Sequence, residues 1–79
     1  MSDQLPLCSS DQILAALKRV GFTLARRAKD SHQPMIRVTP QRTDVAVVVL
    51  GKRQVTRGTL RSILDQAGLS ADESRQHLR

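Results

Sequence analysis

Aromatic residues are nearly missing from this sequence: Phe22 stands alone, with no Trp and no Tyr. That excludes base-stacking platforms of the RRM or OB type, which need several rings. Cysteine is equally scarce. Cys8 has no internal disulfide partner and no Cys/His group has zinc spacing, so neither common support of a small domain is available. A lone cysteine fits a reducing compartment, with core or surface filler as its role. No apolar run is long enough to cross a bilayer. Met1-Ser2-Asp3-Gln4 also lacks the basic and apolar regions of a signal peptide, so a cytoplasmic protein without a membrane partner is expected. Acidic residues are few as well: seven Asp and Glu face thirteen Lys and Arg, a formal net charge of +6. Such an excess favours a polyanionic partner, nucleic acid first and an acidic protein second. With so few rings, contact with phosphates is the mode of binding that remains. A chain of 79 residues makes one small domain. A domain of that size buries only about 60% of the surface its unfolded chain exposes.

Residues 1–8 carry Pro6 and little pattern and read as a flexible lead-in. Ser9 opens a helix, with Gln12 completing a capping box and Asp11 suiting the positive end of the dipole. Ile13, Leu14, Leu17 and Val20 form one apolar stripe, and Gly21 is placed to stop the helix. Residues 22–27 alternate with period two, Phe22 and Leu24 sharing a face, which predicts a strand. Residues 35–39 predict a second strand and 40–44 a turn. Residues 45–50 are too short and too β-branched for a helix. Nearly all apolar, they are expected to form a strand buried on both faces or central in the sheet. A basic linker over 51–55 leads to Thr56, which caps a helix with its stripe on Leu60, Ile63, Leu64 and Ala67 and its stop at Gly68. Ser70 and Glu73 make a second capping box for a short helix reaching about Gln76. The predicted fold is α+β, in the order α-β-β-β-α shared with double-stranded-RNA-binding domains: a three-stranded antiparallel sheet with two helices on one face. The expected domain covers 9–70, with a short C-terminal helix or tail over 71–79.

The densest chemistry lies in Arg26-Arg27-Ala28-Lys29-Asp30-Ser31-His32. His32 is the candidate for catalysis, because imidazole gives or takes a proton at neutral pH; on residue type alone the solvated histidine of a basic loop is the commoner case. Asp65, Asp72 and Glu73 lack the spacing of a metal site, and no cofactor is expected.

Several of these features fall in one order. A helix ends in Gly21-Phe22, Arg26 follows, then Asp30-Ser31-His32. After the predicted sheet comes Gly58-Thr59-Leu60-Arg61-Ser62-Ile63-Leu64-Asp65-Gln66-Ala67-Gly68-Leu69. Together they resemble the HicA toxins, the small RNA-cleaving partners of bacterial HicA–HicB toxin–antitoxin pairs. The resemblance runs from Ser9 to Ser70 and is most specific over Gly58–Leu64. It implies a double-stranded-RNA-binding-like fold, ribonuclease activity on messenger RNA, and neutralisation by a HicB-like antitoxin. The family's catalytic histidine falls in a Gly-Ser-His motif at the start of the second strand, which assigns catalysis to His32 and Ser31. Here the glycine is Asp30. A positive φ is expected at that position, which Asp tolerates better than most residues and less readily than Gly. Its carboxylate is placed to meet an approaching phosphate or to hold His32 by a hydrogen bond. The chain also lacks the aromatic that often follows the motif, and Val49-Leu50-Gly51 stands where the third strand often ends in a polar or histidine residue.

The leading expectation is a metal-independent endoribonuclease in which His32 moves a proton and Arg26, Arg27 or Lys29 holds the phosphate. Lys52, Arg53 and Arg57 cluster where a double-stranded-RNA-like fold meets the RNA backbone. Two other readings stay open: an inactive relative that only binds RNA, and a basic module that docks on an acidic protein.

Overall fold

Local chemistry sets the helix ends. In the computed structural model, which describes residues 7–77, Ser9 Oγ accepts from Gln12 N at 3.2 Å and Ser9 N donates to Gln12 Oε1 at 2.8 Å. This reciprocal pair opens α1, Ser10–Arg19. Ile13, Ala16 and Leu17 are buried, while Leu14 and Val20 are partly buried. Thr56 caps α2, Arg57–Ala67, and Gly68 closes it at φ 72. The left-handed conformation favours glycine at Gly68, while the Arg42 guanidinium near its Cα is the end of a flexible side chain that could move aside. Ser70 and Glu73 form the second capping box and start α3, Ala71–His77, which packs against α1. None of the described helices is long and apolar enough to cross a membrane. The expected lead-in over residues 1–6 and the last two positions of the tail lie outside the described residues.

The sheet has three antiparallel strands in the order β1-β2-β3: Thr23–Leu24, His32–Val38 and Thr43–Val49. The α+β order expected from the sequence is the observed one, followed by the short terminal helix as α3. β1 is shorter than the predicted 22–27. Phe22 N still donates to Leu17 O at 2.9 Å as part of the helix exit. At the other end Ala25 N donates to Pro34 O at 3.0 Å, but Pro34 has no N–H to return the bond. The ladder stops there, and the buried Gln33 side chain takes over, donating to Arg26 O at 2.8 Å. β2 begins at His32, earlier than the predicted Met35. Pro34 is tolerated inside it because its nitrogen faces the side on which β1 has ended.

β3 departs most from expectation. It is an edge strand, and β2 is central. Asp44, Ala46 and Val48 point into the core, whereas Val45 is 48% exposed and Val47 and Val49 are partly exposed. The helices cover one sheet face only, so an all-apolar strand leaves half its side chains outside the core. The edge is partly closed by side chains: Val47 N donates to Gln66 Oε1 at 3.0 Å and Val49 O accepts from Ser10 Oγ at 2.6 Å.

The core lies between the sheet and the helices, with Ile13, Leu17, Phe22, Met35, Val48 and Leu60 fully enclosed. Burial of each such side chain contributes about 1.5–3 kcal/mol. Cys8 belongs to this core. Its thiol is pushed up from the ordinary value by desolvation, and its segment pairs with Val55 in an isolated bridge. Leu24 remains 54% exposed because the helices pack mainly over β3, at the opposite edge. At one end of the β2–β3 ribbon, Arg37 joins the layers. It donates to Val20 O, Ala67 O and Asp44 Oδ2, and its guanidinium sits 4.8 Å from the Phe22 ring centroid.

Candidate functional site

The opposite end of the ribbon carries the residues singled out in the sequence. Lys29 N donates to His32 O at 3.0 Å and His32 N to Lys29 O at 2.9 Å, enclosing Asp30 and Ser31 in a tight two-residue turn. Asp30 has φ 51 and Ser31 φ 63. Positive values at both central positions define a type I′ turn, whose twist matches that of antiparallel strands. The positive φ expected at Asp30 is therefore present, and Ser31 shares it. Leu50 N donates to Ser31 O at 2.7 Å, which ties the turn to the exit of β3.

His32, the first residue of β2, is exposed. Its Nδ1 lies 2.8 Å from the main-chain oxygen of Asp30. A carbonyl oxygen can only accept, so Nδ1 carries a proton, and in the neutral ring it is Nε2 that keeps the lone pair. The imidazole is thus held by the backbone of Asp30 and not by its carboxylate, one of the two roles the sequence left open for that carboxylate.

Around His32 lies an open hollow of about 410 Å³ lined by Arg26, Lys29, Asp30, His32, Pro34 and Val47. Pro34 and Val47 are register partners on the sheet face that no helix covers. Gln33 fixes one wall, since its bond to Arg26 O holds the Arg26 segment beside β2. Neither Arg26 nor Lys29 has an ion-pair partner among the described residues.

The other candidates are distributed more widely. Arg27 is exposed but does not line the hollow, and neither does Ser31. Lys52 and Arg53 stand exposed on the loop after β3, where the Lys52 main chain is bound to Ser10. Arg57 lines a separate hollow of about 360 Å³ with Leu7, Gln54 and Thr56. The predicted cations therefore form one group at His32 and others away from it. Gln33, Pro34 and Val47 were not anticipated as site residues. The only signal for Gln33 was a polar residue on the same strand parity as the buried Met35.

Comparison with known protein families gives a match. The family model described as the HicA toxin of bacterial toxin-antitoxin systems matches residues 10–69. The chain belongs to the HicA toxin family. No curated protein matches it. The matched span runs from the first residue of α1 to just past Gly68, so it contains the whole sheet, the His32 turn and the hollow. As a HicA-family protein the chain is a toxin of a toxin–antitoxin system, and an antitoxin is its implied partner. α3 follows the matched span.

Proposed function

We propose that this toxin is a metal-independent endoribonuclease that cuts messenger RNA in the cytoplasm and is neutralised by a HicB-like antitoxin. The observation that carries this reading is the free Nε2 of His32 in a hollow that also holds Arg26 and Lys29. RNA supplies its own nucleophile. His32 Nε2 takes the proton of the 2′-hydroxyl as O2′ bonds to phosphorus. The bond from phosphorus to the 5′-oxygen breaks, and water protonates the leaving oxygen. The products are a 2′,3′-cyclic phosphate and a 5′-hydroxyl. Arg26 and Lys29 stabilise the charge that gathers on the non-bridging oxygens, a contribution that grows as water is excluded. Ser31 serves by shaping the turn. Arg27, Lys52, Arg53 and Arg57 attract RNA outside the hollow, through contacts that weaken with salt.

The test is incubation of the purified protein with long single-stranded RNA in EDTA, beside His32→Ala. Cleavage by the wild type alone, leaving cyclic-phosphate ends, is the expected result. Equal cleavage by both proteins removes His32 from the chemistry. Salt-sensitive binding with no cleavage by either replaces this reading with that of an RNA-binding relative.

A further inference from the structure

The hollow contains more than phosphate chemistry needs. An imidazole and two cations answer for the 2′-hydroxyl and the phosphate, but Pro34 and Val47 do not. They face each other across the β2–β3 pair, both half-buried, and give the hollow an apolar floor on the open sheet face. Asp30 is equally unexplained. Its main-chain oxygen holds His32, while its carboxylate has no hydrogen bond or ion pair among the described residues although it lines the same space.

A nucleobase has the complementary parts: two apolar faces and a polar edge. In a duplex the faces are stacked and the Watson–Crick edges are paired, so only an unpaired base can present both to a protein. We propose that the hollow seats one unpaired base of the RNA, its face on Pro34 and Val47 and its edge read by the Asp30 carboxylate. This rests on the ribonuclease reading and names its substrate, single-stranded RNA. An ionised carboxylate accepts hydrogen bonds and donates none. Guanine offers it adjacent N1–H and N2–H donors and is favoured. Uracil, whose one N3–H lies between two carbonyl oxygens, is disfavoured.

The experiment maps cut sites in a random-sequence single-stranded RNA pool, with the same pool annealed to its complement, for wild type and Asp30→Asn. Asparagine suits a positive φ and retains the carbonyl that holds His32, while replacing an acceptor-only group by one that also donates. The readout is the ratio of cuts at guanine to cuts at uracil. Wild type is expected to favour guanine about tenfold, in the range of a good bidentate base contact, with the ratio collapsing in Asp30→Asn and the duplex cut far more slowly. An unchanged ratio in the variant, or equal cutting of duplex and single strand, overturns the proposal while the ribonuclease reading stands. If the wild type cuts nothing, that reading fails, and anisotropy with guanine-rich and all-uracil single strands decides the inference. Equal affinities overturn it; a guanine preference that Asp30→Asn abolishes sustains it.

Discussion

The two ends of the β2–β3 ribbon hold similar residues and use them in opposite ways. At one end Arg37 and Arg42 close on Asp44 at 3.0 and 2.7 Å, and Asp44 is only 5% exposed. Arg37 also binds the last carbonyls of both main helices. At the other end Arg26 and Lys29 stand exposed, without ion pairs among the described residues, around a histidine on a left-handed turn. A cation closed on a buried carboxylate has its field spent within the fold. A cation beside an open hollow keeps it for a ligand. Charge count cannot separate these two uses, but pairing can.

Exchanging the lesion between the two ends gives the largest expected effects. His32→Ala should lower RNA cleavage by roughly 10²–10⁴-fold, the usual contribution of a positioned proton-transfer group. Its melting temperature should stay close to that of the wild type, because the side chain is exposed. Asp44→Asn should do the reverse: a clear fall in melting temperature, with His32-dependent cleavage retained by the protein that stays folded. The same variant tests pH dependence. Hydrogen bonds from Arg37 first and Arg42 second hold the Asp44 carboxyl below its ordinary value. Its contribution to stability is therefore fully present above the unfolded value of about 3.9 and is lost as pH falls through the lowered folded value. Thermal melts taken from neutral pH downward should show a shallower acid decline in Asp44→Asn. An unchanged acid limb would mean that the pair does not hold this end together.

A smaller effect separates the cations. Arg26→Ala should weaken RNA binding uniformly across sequences and reduce the slope of log K against log salt by about 1, the signature of one lost phosphate contact. Arg42→Ala should leave the slope unchanged, since its charge is engaged by Asp44. Gln33→Met should reproduce the Arg26 effect, because its amide holds the Arg26 segment. The double variant Gln33→Met, Arg26→Ala should bind no worse than Arg26→Ala alone. Additive losses would show that Gln33 acts elsewhere.

Much of this architecture was legible because it is written in neighbouring residues. The Ser9–Gln12 box, the Thr56 cap and the Gly68 stop each depend on a few consecutive positions; the positive φ at position 30 was expected from the glycine of the motif that the chain resembles. What was not legible depends on pairing between strands. An apolar run such as 45–50 has the same composition whether one face or both are covered, and only the placement of the helices decides it. The early end of β1 follows from an N–H that Pro34 lacks, visible only once Pro34 is known to oppose Ala25. Of the residues lining the candidate site, the sequence singled out His32, Arg26 and Lys29, which lie close together in the chain. Val47 reaches it only through its register with Pro34, and Arg57, close to Lys52 and Arg53 in sequence, faces a different hollow.

The smallest effect concerns the turn itself. A non-glycine residue in the left-handed region costs about 1–2 kcal/mol, and Ser31 sits there at φ 63. Ser31→Gly removes that cost but loosens the unfolded chain, an offset of about 0.5–1 kcal/mol. A net gain of up to about 1.5 kcal/mol is expected in urea melts. Ser31→Ala keeps the strain and should gain nothing. The two variants lack the same hydroxyl, so their activities separate shape from chemistry. If Ser31 acts through the turn, Ser31→Gly cuts RNA as well as the wild type. If both variants lose activity alike, the hydroxyl belongs to the reaction, and the His32 end holds a second chemical group.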